Sequence, residues 1–276
     1  MLKVGMFTSG YQRNPLEHCF MDAKEYGYDY IELWGGRPHA YALKAGDINE
    51  VRRLIEKYEM PVLGYTPEHN AYPYNYMIGS EAQRRDAVDY LKLSLEMAKE
   101  MGAEFVLTSP ANGGYLATYD QLWSRLEKNI QELGDYAAKL EIKLVVEALT
   151  PYESNFFTRA NDLVELFRRV DNPYVVGMCD IVPPFVQHES IMAYFDKLGN
   201  KMDHMHIIDG ENGSDTHLIP GEGNIPIKEM LYEMKRIGYD KTATLELVTN
   251  YINEPRFYAK RAIDNMRELM AEAGIV

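Results

Sequence analysis

Residues 174–208, YVVGMCDIVPPFVQHESIMAYFDKLGNKMDHMHII, contain the pattern that decides the fold. An apolar run at the start of this stretch ends in Asp180, a helical pattern follows, and a second short run carries His204 and His206. A strand, a helix and a second strand in this order predict a right-handed crossover between two parallel strands. We therefore interpret the stretch as one repeating unit of a parallel α/β protein.

The same alternation continues in both directions to the ends of the chain. Eight β-branched or apolar runs predict strands at Lys3–Thr8, Tyr30–Trp34, Val62–Tyr65, Glu104–Ser109, Lys143–Glu147, Tyr174–Asp180, His204–Ile208 and Thr242–Leu247. Amphipathic stretches between and after them predict helices at Leu16–Tyr26, Ile48–Tyr58, Glu81–Met101, Tyr119–Leu140, Asn161–Val170, Ser190–Leu198, Ile227–Ile237 and Pro255–Met270. Eight such units favour a closed (β/α)₈ TIM barrel over an open doubly wound sheet. Because no linker or shift in composition divides the chain, we expect one barrel domain over residues 1–276.

The composition is that of a globular protein and excludes several kinds of partner. Hydrophobic residues make up 46% and charged residues 26% of the chain, which excludes disordered, collagen-like and disulfide-scaffold classes. No apolar run approaches the roughly 20 residues that a membrane helix needs. The two cysteines, Cys19 and Cys179, fit a reducing cytoplasm. The net charge of −13 argues against nucleic acid and anionic membranes as partners, because both would repel the protein.

Polar side chains end four consecutive predicted strands. Glu147, Asp180, His206 and Glu246, which we call the tetrad, should converge because chemistry in this fold lies at the carboxyl ends of the strands. Three carboxylates inside a barrel require a cation to balance their charge. Three oxygen ligands and one imidazole suit Mn²⁺, Co²⁺, Mg²⁺ or Ni²⁺, whereas Zn²⁺ usually has more nitrogen or sulfur ligands. His204 is on the same face as His206, and we expect it to be structural, one layer below.

The loops beyond these strands add further candidates. Glu153 follows the fifth predicted strand, and Asp215 and His217 precede a Pro-Gly-x-Gly turn. A glycine-rich turn at this place either cradles a phosphate or only shapes the chain. The Tyr-rich loop over residues 65–76 and Arg256 are candidates for a subunit interface or for contacts with one end of a substrate.

These residues carry a resemblance to a known family. The tetrad, Glu153 and the PGEG turn resemble the xylose-isomerase-like barrel superfamily, and its ketose 3-epimerases in particular. More specific segments extend the resemblance from about Val4 to Met270, and they read GMFTSGYQR, IELWGGRPHAY, GYTPEHNAYPYN, LTPYESN, SDTHLIPGEG and LELVTNYINEPRFYA. The resemblance implies a carbohydrate epimerase of the isomerase class that assembles as a homo-oligomer.

The resemblance also implies a role for individual residues. The tetrad would hold one divalent metal ion, and Glu147 and Glu246 would transfer protons at the substrate through an enediolate. Glu153 would contact the substrate, and so would His217, which takes the place of an Arg in ketose epimerases. Pro183 takes the place of a substrate-binding His. These departures imply a fructosamine in place of a free ketohexose, with inversion at C3 that interconverts fructoselysine and psicoselysine.

Other activities stay open from sequence alone. Ketohexose 3-epimerases and isomerases of hydroxypyruvate or an inosose belong to the same superfamily. An endonuclease-IV-like metal nuclease is a more distant alternative, because Asp215-x-His217 resembles one of its ligand pairs; Pro183 and the negative charge oppose it. A non-catalytic sugar-binding barrel is also an alternative, but a binder does not need two opposed bases such as Glu147 and Glu246.

Overall fold

The computed structural model describes residues 2–42, 44–69 and 74–275 and contains a closed barrel of eight parallel strands. Strands pair in chain order, and the last pairs with the first. The strands are β1 Lys3–Phe7, β2 Tyr30–Gly35, β3 Val62–Pro67, β4 Phe105–Thr108, β5 Lys143–Val146, β6 Val175–Asp180, β7 Met202–Ile207 and β8 Thr242–Leu245. The predicted (β/α)₈ TIM barrel is therefore confirmed.

Helices surround the barrel and connect successive strands. They are α1 Leu16–Tyr26, α2 Ala45–Tyr58, α3 Glu81–Met101, α4 Tyr119–Leu140, α5 Ala160–Arg169, α6 Val182–Val186, α7 Met192–Leu198, α8 Ile227–Ile237 and α9 Pro255–Glu272. The predicted helix over Ser190–Leu198 is shorter than expected, and the short helix α6 was not predicted. Two prolines lie in the first turn of α6, where the missing N–H groups would have no partner within the helix. Among the helices of the described residues, none has the length and apolar character needed to cross a membrane.

The core has two layers, one inside the barrel and one between strands and helices. Large side chains fill the barrel interior, including Tyr30 of β2 and Phe105 of β4. Glycines make room for these rings: a Cβ at Gly5 would lie 2.3 Å from the Tyr30 ring, and one at Gly64 would lie 2.4 Å from the Phe105 ring. Barrel interiors are packed cores, so this filling leaves space for chemistry only at the strand ends.

Candidate active site

A cavity of about 270 Å³ opens at the carboxyl ends of the strands. One wall contains the tetrad together with Glu153 and His217. The opposite wall contains side chains at the ends of β1, β2 and β3 and side chains that follow β1 and β3. The structure therefore brings all of the predicted site residues to one cavity. The cavity is at the end of the barrel where this fold carries its chemistry.

The strand register places the tetrad side by side. Asp180 pairs with His206 across β6 and β7, and Glu147 and Glu246 directly follow β5 and β8. His206 Nδ1 lies 3.1 Å from Glu246 Oε2 and 3.9 Å from Glu147 Oε1. Ligand atoms of Glu147, Asp180 and His206 all lie within 4.8 Å of one another, which is close enough for one ion to contact all three.

The electrostatics of this cluster fit a divalent cation. Burial raises the pKa of Glu147 well above its usual range, and the nearby charges of Asp180 and Glu246 raise it further. Burial also raises the pKa of Asp180 to about 7, with a further contribution from Glu246. The described residues that line the cavity include no Lys or Arg that could balance these carboxylates. Oxygen donors with one imidazole are a set that divalent ions accept, and the buried cluster is able to hold a metal ion.

His217 lies at the edge of the same cluster. Its Nε2 is 3.4 Å from Glu246 Oε2, and its Nδ1 is 2.9 Å from Asp215 Oδ1. Burial alone would raise the pKa of Glu246, but His206 and His217 outweigh it and lower that pKa to about 2. The backbone of His217 is left-handed (φ 47°), which is uncommon outside glycine and concentrates at functional sites. His217 thus contacts a tetrad carboxylate directly.

Glu32, a buried carboxylate on β2, supports the tetrad and was not predicted. His206 Nε2 lies 3.1 Å from Glu32 Oε1, and His204 Nε2 lies 3.0 Å from Glu32 Oε2. Burial would raise the pKa of Glu32, but the two histidines outweigh it and hold that pKa well below its usual range. A carboxylate on one ring nitrogen of a histidine orients the other toward a metal. Glu32 therefore turns Nδ1 of His206 toward Glu147 and Glu246.

The sequence contains a signal for Glu32. Tyr30, Glu32 and Trp34 alternate with apolar residues on β2, so their side chains share the inner face of the barrel. A carboxylate on the inner face of a buried strand needs a partner there. A search for polar residues at strand ends does not find Glu32, because Glu32 lies within its strand.

The remaining predicted residues have structural partners. Glu153 Oε2 accepts hydrogen bonds from the backbone N–H and the hydroxyl of Thr150, at 3.2 and 2.8 Å, which hold it at the cavity mouth. Pro183 is buried in α6. Arg256 forms a bidentate ion pair with the buried Asp22, so its guanidinium binds a carboxylate of the protein itself.

The Tyr-rich loop is largely internal where it is described. The Tyr65 hydroxyl donates to the carbonyl of Ala40, the Tyr76 hydroxyl donates to the carbonyl of Ser109, and Tyr74 stacks on Tyr90. Tyr72 lies outside the described residues. These contacts give the described tyrosines a packing role.

The glycine-rich turn binds a carboxylate of the protein itself. Asp209 accepts hydrogen bonds from the backbone N–H groups of Gly221 and Ile225, at 2.9 and 3.0 Å. A Cβ at Gly223 would lie 2.4 Å from Asp209 Oδ1, so only glycine fits there. Since Asp209 uses these N–H groups, the turn shapes the chain and does not cradle a phosphate.

The chain matches a known protein family over most of its length. The family is described as a xylose isomerase-like TIM barrel, and the match covers residues 20–269. The chain belongs to this family. A relative, the fructoselysine 3-epimerase of Shigella flexneri, is 50% identical over 273 residues, which are 98% of this chain and 99% of the relative. This nearly full-length similarity makes the chain an enzyme of the isomerase class, an epimerase.

Structures of the xylose isomerase-like fold superpose on nearly the whole chain. A D-psicose 3-epimerase from Clostridium cellulolyticum H10, determined with D-tagatose, has a TM-score of 0.80 at 17% identity and covers 98% of this chain and 99% of its own. The IOLI protein, whose crystal structure has a bound zinc atom, has a TM-score of 0.80 at 18% identity and covers 99% of this chain and 98% of its own. At such identities the similarity establishes the fold alone.

Proposed function

We propose that the protein inverts C3 of a fructosamine, interconverting fructoselysine and psicoselysine, with one divalent metal ion and with Glu147 and Glu246 as the acid and base. The observation that carries the proposal is the position of these two glutamates. Both approach Nδ1 of His206, Glu147 from the end of β5 and Glu246 from the end of β8, and both line a cavity large enough for a sugar. The named Shigella relative at 50% identity supports the substrate and the position of inversion.

The tetrad would hold the metal ion, with Mn²⁺, Co²⁺, Mg²⁺ or Ni²⁺ favoured by the oxygen-rich donor set. When bound, the ion polarises the C2 ketone and stabilises the negative charge that develops when the C3 proton leaves. Glu32 orients His206 for this purpose, because it occupies the ring nitrogen that faces away from Glu147 and Glu246.

The two glutamates, Glu147 and Glu246, transfer the protons. One carboxylate removes the proton from C3, and the electron pair of the C–H bond moves into the C2–C3 bond while the ketone oxygen gains charge. The other glutamate, in its protonated form, then returns a proton to the opposite face of C3. Each transfer of this type accelerates a reaction by about 10²–10⁴-fold. The two glutamates exchange protonation states in each turnover, and exchange with water restores them.

Glu153 and His217 contact the substrate in this proposal. Thr150 holds Glu153 at the cavity mouth, and Asp215 holds His217 against Glu246. The ketose epimerases that the sequence resembles have an arginine at this position, so the contacts with the substrate oxygens differ here. This difference supports a fructosamine over an unmodified ketohexose.

Deuterium exchange tests the proposed function. The purified protein, stripped of metal and then supplied with Mn²⁺ or Co²⁺, is incubated in deuterated water with fructoselysine, fructose, tagatose and hydroxypyruvate. We expect deuterium at C3 of fructoselysine and psicoselysine, detected by mass spectrometry and by NMR after removal of the metal. We also expect that kcat/KM on fructoselysine exceeds that on either free hexulose. A higher kcat/KM on fructose or tagatose would overturn the assigned substrate.

Glutamine variants test the two-base arrangement. Glu147→Gln and Glu246→Gln keep the shape and one acceptor oxygen, but an amide cannot act as a base near neutral pH. Each variant should lose about 10²–10⁴-fold in net epimerisation. Each should still exchange deuterium into one epimer, and the favoured epimer should be opposite in the two variants. Epimerisation near the wild-type rate in a variant shown to retain metal would place proton transfer elsewhere.

A further inference from the structure

The charge of the cavity favours a positively charged substrate. Five carboxylates line it, from Glu68, Glu147, Glu153, Asp180 and Glu246, and the described lining residues include no Lys or Arg. One divalent ion balances two of these charges. His206 and His217 also line the cavity, and even if both carry a positive charge, the five carboxylates leave it net negative with one divalent ion bound. A cavity of net negative charge should attract amines and repel phosphorylated sugars.

Glu68 lies on the wall opposite the tetrad, beside an aromatic ring. It directly follows β3, and the indole Nε1–H of Trp34, at the end of β2, donates a 2.7 Å hydrogen bond to its Oε2. Among the described residues, no hydrogen-bond donor contacts the other carboxylate oxygen. Glu68 is exposed, and both side chains line the cavity. A carboxylate next to an indole combines an ion-pair partner with a ring that attracts cations.

The Trp34 ring is fixed in place before any ligand binds. The backbone of Gly36 lies against it, since a Cβ there would be 2.1 Å from the ring. His39 packs edge-on against the ring, with 5.6 Å between ring centroids, and is itself buried against Thr8. A pair held this way loses little conformational freedom on binding, which favours affinity.

Glu153 and the carboxylates of the tetrad contact other groups of the protein. Glu153 is held within its own turn by Thr150 and lies near Asp215, on the wall of the tetrad. The tetrad carboxylates face His206 and His217. Glu68 is thus the carboxylate that enters the cavity from the end of β3, whereas the others enter it from β5, β6 and β8 or from the loop after β5.

We infer that Glu68 and Trp34 form the subsite that binds the positively charged amine of the substrate and thereby select fructosamines over neutral ketoses. The inference rests on the proposed function, because it assumes that the sugar binds at the tetrad. The ammonium donates to Glu68 and packs against the face of the Trp34 indole. No bond is made or broken at this subsite.

A pair of matched substrates tests the subsite. N-propyl-fructosamine carries a protonated amine at C1, and 1-O-propyl-fructose replaces that nitrogen by an ether oxygen of similar size. Wild-type protein should have a kcat/KM at least tenfold higher on the amine. Glu68→Gln keeps an acceptor for the indole N–H and removes the charge, so it should lower kcat/KM on the amine about 10- to 100-fold through KM. It should leave the ether within about threefold of wild type.

Glu153→Gln is the matched control because it removes a cavity carboxylate on the other wall. It should affect amine and ether equally. An amine-selective loss in Glu153→Gln, or equal losses on both substrates in Glu68→Gln, would overturn the assignment to Glu68. No loss on either substrate in Glu68→Gln would also overturn it. If wild-type protein exchanges no C3 proton on any of these sugars, the proposed function fails, which is a different result from an active enzyme whose selectivity does not depend on Glu68.

Discussion

At the scale of single residues, the candidate site depends on a carboxylate that holds two histidines. Glu32 accepts from His204 and His206 inside the barrel, where it has no contact with water. A buried charge of this kind is tolerated only when it is fully paired. Strand β2 thus contributes to the site twice. Glu32 supports His206, and Trp34, two residues later, lines the cavity.

We predict that Glu32→Gln weakens metal binding. A glutamine accepts from one histidine but presents its amide N–H₂ to the other, so His206 loses its fixed orientation. Metal affinity should fall about 10- to 100-fold, as is typical when such a supporting carboxylate is lost. Competition with a fluorescent chelator measures the affinity, and excess metal should restore activity.

Tyr30→Phe is the control for this prediction. It removes another buried hydrogen bond of β2, between the Tyr30 hydroxyl and Thr244, and leaves the hydrogen bonds of Glu32 to His204 and His206 in place. Its metal affinity should match that of the wild type. Equal metal affinity in Glu32→Gln and wild type would show that the ring orientation of His206 does not depend on Glu32.

How far the sequence predicts the site depends on the kind of contact. The convergence of Glu147, Asp180, His206 and Glu246 follows from the barrel topology, because parallel strands all end on one side. The contact between His217 and Glu246 depends on the conformation of the long loop between β7 and α8, which no short-range sequence pattern predicts. The pairing of Trp34 with Glu68 joins two strand ends about 34 positions apart in sequence.

At the scale of helices and strands, short stretches of sequence determine where most of these elements begin and end. Helices α3 and α4 begin at capping boxes, in which Ser80 pairs with Gln83 and Thr118 pairs with Gln121. Both helices were predicted with their observed bounds. Helix α6 was missed because its two prolines are more typical of a turn than of a helix start. Val182, Pro183 and Pro184 are all buried in this helix, and burial of this kind is not read from a local pattern.

We predict that Thr118→Ala destabilises the protein by about 1 kcal/mol, the usual cost of losing an N-cap hydroxyl. Thr118 Oγ1 accepts from the backbone N–H of Gln121, and the residue is otherwise exposed, so the change affects the cap alone. The urea midpoint of unfolding measures the loss. Thr118→Ser keeps the hydroxyl and should retain nearly all of the stability. A Thr118→Ala midpoint equal to that of wild type would mean that packing of α4 alone determines where the helix begins.

At the scale of the whole molecule, the charged residues at the two ends of the barrel have different roles. The carboxyl ends of the strands carry the five carboxylates of the cavity, whose described lining residues include no Lys or Arg. At the opposite end, Asp203 at the start of β7 is paired on both sides, by Lys143 of β5 and by Lys241 just before β8, each at 2.7 Å. Charges at the amino ends thus join β5, β7 and β8, as expected of the face of this fold that serves stability.

We predict that Asp203→Asn removes stability in a pH-dependent way. Burial alone would raise the pKa of Asp203, but hydrogen bonds from Lys143 and Lys241 outweigh it and lower the pKa. A carboxyl whose pKa is lower in the folded than in the unfolded state contributes stability above the unfolded pKa of about 3.9. That contribution is lost as pH falls through the folded pKa. At pH 7 the variant should therefore be less stable by about 1–2 kcal/mol.

The difference between Asp203→Asn and wild type should shrink as the pH falls below about 4 toward the lowered pKa of folded Asp203, because below that pKa both proteins lack the charge. Urea midpoints at a series of pH values measure it. Glu59→Gln is the control, since Glu59 pairs with Lys24 on the surface with 84% of its side chain exposed, and such pairs contribute little. A stability difference for Asp203→Asn that stays constant from pH 7 to pH 3 would mean that packing at the base of the barrel, and not the charge of Asp203, joins β5, β7 and β8.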